Sequence, residues 1–538
     1  MKHRMTRREF LERSVTVGAL AAAGPALARA AYGERPPPKG SIHRTGASPA
    51  ANQAGVGEGG PSRPNLVFLF SDQQSFDMLG CNGNGQILTP NIDKAASEGV
   101  RFNHCISNSP LCTPYRGILL SGMHPLYSGA ITNDFRMLPS EVATQGRGKY
   151  FGEALRDAGY RTGYIGKWHL YGGDRNRPIP PGPYRFGFDH TFLSNNCTLV
   201  FDKERAYFWN ETGQKELYGD WEPYGQARQA MKFIDENADR PFALFVSWHP
   251  PHNWSGEYNY PAPEELTKLY DPSGLRLRPS VEDKPQVRKM YQGYLAMCTS
   301  LDKAFGWILE RLEGKGLAEN TIVVYTSDHG DTLRSRGWPG HKGCPQAEAS
   351  RVPLILRYPR RLKPRQSDLL VGTFDLMPTL LGMMGLAVPP TCQGRDLSSA
   401  IAEGRDDAVE SLPLVLMPGD WRGVYTRRHT YAFTVDADLK EPGIGNPSLN
   451  CLYDREADPH EMTNLFHSAE HQAVRQKMHE QALAWMQRFG DTGLPYRKVF
   501  ETVLVPEDVA IEKNQQLQSQ GNGQLKGRPI DLLRAEDR

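Results

Sequence analysis

Leu111-Cys112-Thr113-Pro114-Tyr115-Arg116-Gly117, continued by Ile118-Leu119-Leu120-Ser121-Gly122, is the stretch around which the chain is organised. Proline two residues after the cysteine suits a first helical turn, where a missing N–H costs nothing. Cys112 is therefore expected at a helix N-terminus, beside backbone donors that have no intrahelical acceptor. Such a place holds an anion. Arg116, about one turn later, adds a fixed charge whose planar fork suits tetrahedral oxygens. A lone cysteine at a helix start is usually only a small buried side chain, so the decision rests on its companions.

Working outward, the chain of 538 residues has room for one large domain and a smaller one. Its 63 basic and 61 acidic side chains nearly balance, which argues against a partner recruited by charge, such as nucleic acid or a membrane surface. After the first thirty residues no apolar run approaches the length needed to cross a bilayer, so no membrane insertion of the mature protein is expected. Thr6-Arg7-Arg8-Glu9-Phe10-Leu11 precedes a Gly- and Ala-rich run with small residues at Ala26, Ala28 and Ala30 that offer cleavage sites. Residues 1–30 thus look like a twin-arginine signal, which implies the Tat export machinery and a periplasmic or secreted protein. Residues 31–62, rich in Pro, Gly, Ala and Ser, read as a flexible linker. Folding before export leaves cysteines in a reducing compartment, and their spacing matches no zinc pattern, so no essential disulfide is expected.

Four apolar runs end in polar residues. Residues 65–70 lead into Ser71-Asp72-Gln73-Gln74, and residues 160–165 into Gly166-Lys167-Trp168-His169. Residues 242–247 lead into Trp248-His249-Pro250-Pro251-His252-Asn253-Trp254, and residues 321–326 into Ser327-Asp328-His329-Gly330-Asp331. Helical patterns at 151–159, 226–236 and 284–315 separate them. Alternating helices and buried strands define an α/β chain, and ligand groups belong at the carboxyl ends of such strands. Strand alternation places Lys167 and His169 on one side of an extended backbone. Gly340-His341-Lys342-Gly343 follows further on, and beyond about residue 410 the segments become shorter and polar-flanked, with a helix expected at 472–489.

The C-x-P-x-R-G pattern at 112–117 resembles the signature of type I sulfatases, in which this cysteine is oxidised to formylglycine, and Gly166-Lys167-Trp168-His169 resembles that family's second signature. The resemblance covers about residues 63–490, with the motifs in the family's order. It implies an alkaline-phosphatase-like fold, a mostly parallel sheet sandwiched by helices, with a catalytic domain at 63–410. A smaller C-terminal α+β subdomain with an antiparallel sheet is expected at 411–505, and a polar tail at 506–538.

For chemistry, the resemblance implies one divalent metal held by Asp72, Gln73, Asp328 and His329 together with the modified Cys112. Calcium comes first, Mn2+ is open because His329 softens the site, and Mg2+ is a further option. Gln73 stands where a second aspartate is usual, so the site carries less negative charge. Arg116, Lys167 and Lys342 are expected to hold sulfate oxygens. His252, with Lys342, is expected to protonate the leaving alcohol, His249 being the competing choice, and His169 to deprotonate the second formylglycine hydroxyl. Tyr115 departs from the serine or alanine commonest at its position. A formylglycine-generating enzyme is the implied maturation partner.

The reading is an exported sulfatase acting on a sulfate monoester of a carbohydrate or glycan fragment, with Trp168, Trp254, Trp338 and Trp421 available to stack on sugars. Two others stay open. One is a phosphonate or phosphate monoester hydrolase of the same superfamily, to which His329 points. The other is a non-catalytic binder of sulfated glycans in which Cys112 stays a thiol.

Overall fold

The computed structural model describes residues 63–254, 256, 258–338, 340–436, 450–496 and 498. The expected export signal, linker and polar tail lie outside them.

Uninterrupted apolar runs become strands buried on both faces, as in parallel sheets covered by helices. The strands in chain order are β1 (Asn65–Ser71), β2 (Val100–Ile106), β3 (Arg161–Lys167), β4 (Thr191–Asn195), β5 (Tyr207–Trp209) and β6 (Lys215–Leu217). They continue as β7 (Phe242–Ser247), β8 (Thr321–Ser327), β9 (Arg351–Val352), β10 (Leu354–Arg357) and β11 (Arg365–Gly372). These build one sheet in the order β11-β2-β10-β8-β1-β7-β3-β4-β5-β6, with β9 against β2. From β8 to β4 every pair is parallel. β2 and β11 run in the same direction, and the antiparallel β10 separates them from β8. The expected α/β class and mostly parallel sheet are what the chain adopts.

Helix Pro285–Gly314 is bounded by Lys284 and Lys315, as the amphipathic pattern anticipates. Helix Glu222–Glu236 begins a turn earlier than expected, because Pro223 occupies its first turn without loss of a bond. A second, antiparallel sheet contains β12 (Leu412–Leu416), β13 (Trp421–Tyr425), β14 (His429–Thr434) and β15 (Cys451–Asp454). Helix Gln472–Phe489 covers it through Met478 and Ala482, which pack on Val424, Tyr431 and Leu452. Leu414 and Trp421 of this sheet belong to the same apolar core as Phe68 and Phe245 of the large one. The change near residue 410 is therefore a change of sheet within a continuous core. All eight cysteines are free, and among the described residues no helix is long and apolar enough to cross a membrane.

Candidate active site

The four central strands end level with one another: Ser71 pairs with Ser327, and Ser247 pairs with both Phe70 and Gly166. Whatever follows each strand is thereby delivered to one edge. Gly166 is required there, with φ +106° and an added Cβ only 2.0 Å from the Ser247 carbonyl oxygen. From the other side, β2 leads to helix Cys112–Ser121, whose first residue is Cys112, preceded by the extended Leu111. Ser107 Oγ donates to the Asp328 carbonyl (2.6 Å) and Gly343 N to the Pro110 carbonyl (2.9 Å), so the segment before the helix is tied to β8 and to the Lys342 loop.

At this edge the Cys112 sulfur lies 3.1 Å from Lys342 Nζ, 3.3 Å from His329 Nε2 and 3.8 Å from Asp72 Oδ1. One ligand-type atom each of Asp72, Cys112, Asp328 and His329 lies within 4.8 Å of the other three, and all four residues are buried. Burial alone would push the Cys112 thiol up; Lys167, Lys342 and His329 outweigh it and hold it well below the ordinary thiol range. Burial also raises both carboxylates. At Asp72 the ion pair with Lys167 reverses this, whereas Asp328, facing the Asp72 charge, stays raised.

Two buried carboxylates and an imidazole sharing one small space suit a divalent cation, which would neutralise their mutual repulsion. Gln73 strengthens the fit. Its Nε2 donates to Asp331 Oδ2 (2.7 Å) and Asn253 Oδ1 (3.1 Å), while its carbonyl Oε1 is buried with no hydrogen-bond partner. A bare buried carbonyl oxygen is what a hard cation takes. Asp72, Asp328 and His329 of the expected ligand set thus gather around Cys112, and Gln73 adjoins them through its backbone N–H, which donates to Asp328 Oδ1 (3.1 Å).

Arg116 is more committed than its sequence context implies. Its Nη1 donates to Ser247 Oγ (2.7 Å) and the Lys167 carbonyl (2.9 Å), and its Nη2 to Asp328 Oδ2 (3.0 Å). Tyr115, the departure from the usual pattern, is buried in the apolar core.

Lys167 closes β3 as expected, but the extended alternation assumed for His169 does not continue. His169 has φ +57°, its N–H bonding the Asn196 carbonyl (2.5 Å), so the chain has already turned. The ring nevertheless sits beside the sulfurs of Cys112 and Cys197. Burial disfavours its charged form; Cys197, Asp134 and Cys112 outweigh this and push its pKa up to about 10.

Of the two histidines after β7, His252 reaches the site: its Nε2 is 2.7 Å from Lys342 Nζ, and its Nδ1–H donates to the Asn253 carbonyl (2.7 Å). Burial, and then the Lys342 charge, push its pKa down to about 4, so the ring is neutral and Nε2 accepts from the ammonium. His249 is instead fully buried against Glu222 (2.7 Å).

Two of the four tryptophans considered for stacking on sugars are core residues instead. Trp168 is sealed among Tyr164, Phe186 and Phe192. Trp421 is equally buried, and its indole N–H donates to the Gly343 carbonyl (3.2 Å), bracing the residue after Lys342. Large aromatic area is worth more in the core than at the rim. Trp254 and Trp338 remain half-buried.

Sequence reasoning missed Asp134, which lies 3.5 Å from His169 Nε2 and forks onto Arg175 (2.7 and 2.8 Å). Its neighbour Asn133 accepts from Thr113 N (3.1 Å). The only signal was an Asn-Asp pair within the mixed segment Ile131-Thr132-Asn133-Asp134-Phe135-Arg136.

A parallel sheet that brings carboxylates, an imidazole and two lysines to a cysteine at a helix N-terminus is built to bind and attack an anionic ester. The sequence profile of the family described as Sulfatase matches residues 64–386. An ulvan-active sulfatase of Formosa agariphila is 31% identical over 446 residues, 80% of this chain and 82% of that one. An endo-4-O-sulfatase of Bacteroides thetaiotaomicron is 28% identical, covering 75% and 88%. Among solved structures, the yidJ sulfatase of Bacteroides fragilis superimposes with a TM-score of 0.71 at 31% identity, over 81% of this chain and 98% of that one. The chain belongs to the sulfatase family. It is a sulfuric ester hydrolase with the alkaline-phosphatase-like fold of that family.

Proposed function

We propose that the protein is an exported sulfatase that removes sulfate monoesters from a sulfated carbohydrate, using a formylglycine made from Cys112 and a divalent cation, Ca2+ first. The observation that carries this reading is the position of the Cys112 sulfur, clustered with the Asp72, Asp328 and His329 ligand atoms and 3.1 Å from Lys342 Nζ. Relatives named for ulvan and for endo-4-O-sulfate support a carbohydrate substrate. Residues 7 and 8, the arginine pair, support export.

Asp72, Gln73, Asp328 and His329 would hold the cation, whose charge would neutralise sulfate and acidify a hydroxyl beside it. Oxidised and hydrated, position 112 supplies one hydroxyl to attack sulfur and a second whose deprotonation later expels sulfate.

The remaining work falls to the chain's own side chains. Lys167 and Lys342, whose charges both act on position 112, hold sulfate oxygens, each such donor being worth about 3 kcal/mol in comparable sites. Arg116, already bound to Asp328, fixes that ligand and the helix rather than offering a free fork. The proton needed by the leaving alcohol rests on Lys342 Nζ, shared with the neutral His252 Nε2. Conversion of Cys112 removes one of the interactions that raise the His169 pKa, and the neutral fraction of the ring takes the proton of the second hydroxyl at Nδ1, which is buried without a partner, while Asp134 at Nε2 stabilises the imidazolium formed.

The test is sulfate release, by ion chromatography, from a panel of sulfated oligosaccharides, beside aryl sulfate and aryl phosphonate, with wild type and Cys112→Ala. Sulfate release from at least one saccharide, abolished in the variant, is expected. Turnover of the phosphonate alone, or retention of sulfated polymer without release, contradicts the proposal.

A further inference from the structure

The Gln73 amide has no freedom to choose its orientation. One of its N–H bonds points at a carboxylate oxygen of Asp331 (2.7 Å), which can only accept. The other points at Asn253 Oδ1 (3.1 Å), which is the acceptor end of that side chain because Asn253 Nδ2 donates to the Gly256 carbonyl (2.8 Å). Both donors being used, the carbonyl Oε1 is the end left over, buried and unpartnered.

Asp331 is itself immobilised. Its Oδ2 also accepts from Tyr260 OH (2.6 Å), its Oδ1 accepts from Leu333 N (2.9 Å) and faces His341 Nδ1 (3.3 Å), and its own N–H donates to Ser75 Oγ (2.9 Å). It is fully buried. The carboxylate thus stands behind Gln73 on a frame shared with the residue before Lys342.

We propose that Asp331 is the positioning residue of the cation site: it locks the Gln73 amide so that Oε1 faces the cation, and it makes an anionic side chain at position 73 incompatible with the site. The proposal rests on the cation reading given above. A carboxylate at 73 would set oxygen against Asp331 Oδ2 and Asn253 Oδ1, two acceptors with no proton to offer. A glutamate, although it adds negative charge near a cation, therefore weakens binding here. The negative charge missing from position 73 is kept at 331, one layer further from the ion, where it orients a ligand instead of being one.

The test is isothermal titration of chelator-stripped full-length protein with CaCl2, and with MnCl2 as a second probe, together with melting temperatures in EDTA. Wild type, Asp331→Asn, Gln73→Glu, the double variant and Asp72→Asn are compared. Asp331→Asn, whose amide can face Gln73 either way round, is expected to bind about 10- to 100-fold more weakly. Gln73→Glu is expected to bind more weakly than wild type, and the double variant to recover to within about threefold of it, because the asparagine amide can donate to the glutamate. Tighter binding by Gln73→Glu, or no recovery in the double variant while its EDTA melting temperature matches wild type, overturns the proposal. Should Asp331→Asn not fold, the direction of the Gln73→Glu change still decides. If wild type and Asp72→Asn bind alike, or wild type binds neither ion, the cation reading itself fails and the proposal falls with it.

Discussion

At the scale of single residues, the side chains proposed to perform chemistry were legible because each sits in a short motif, Asp72, Lys167, Asp328 and His329 directly after an apolar run. Cys112, Lys167, Asp72, Asp328 and His329 all meet at one edge of the sheet. The side chains that orient them were not legible. Asp134 has no motif, and Asp331 stands in a quoted motif with nothing local to tell ligand from buttress, since its partners Gln73 and Tyr260 lie far away in sequence. The His169 backbone was misread because a strand's alternation says nothing about the residue that ends it.

Asp134 carries a prediction at this scale. Asp134→Asn keeps the shape but loses the charge that supports an imidazolium at His169. A fall in kcat of about 10²-fold is expected, with KM close to wild type and the activity profile shifted to lower pH, because the His169 pKa falls when the Asp134 charge that raises it is lost, read from steady-state kinetics across pH. An unchanged pH profile with a wild-type kcat would remove Asp134 from the mechanism.

At the scale of elements, the runs at 65–70, 242–247 and 321–326 coincide almost residue for residue with β1, β7 and β8. Central parallel strands announce themselves because they are buried on both faces. The antiparallel insertion of β10 and the pairing of β11 with β2 were not legible, since strand order depends on long-range pairing that no local pattern encodes. Trp421 illustrates the same gap: only the structure shows that β13 of the small sheet braces the Lys342 loop.

The β3–β7 contact at Gly166 is the element-level weak point. Gly166→Ala introduces a Cβ at φ +106° against the Ser247 carbonyl, where neither backbone can yield without moving Lys167 or the Ser247 partner of Arg116. A loss of roughly 2–4 kcal/mol in denaturant unfolding is expected, along with reduced activity in whatever fraction folds. Wild-type stability and activity together would show that the strand ends are not rigidly matched.

At the scale of the whole molecule, buried neutral histidines tie stability to pH. Burial, with Arg422 nearby, pushes His124 down to about 4, even though Asp491 lies 3.6 Å away and works the other way. Because its folded pKa is depressed, the unfolded chain takes up the proton first as pH falls through about 6.5. Stability from this group is complete above that value, is lost between about 6.5 and 4, and then levels off. The cost is on the order of 1–3 kcal/mol, measurable as a drop in unfolding free energy from pH 7 to 4. His124→Gln should flatten that slope, and an identical slope in the variant would assign the acid sensitivity elsewhere.

What position 112 becomes decides which atom faces the ester. Peptide mass spectrometry across residues 111–122, on protein from a host that makes a formylglycine-generating enzyme, tests this most directly. The predicted result is formylglycine or its hydrate at position 112, in the same preparation that releases sulfate. An unmodified cysteine there in an active preparation would contradict the account, because the sulfur, not a geminal diol, would then be what faces the ester.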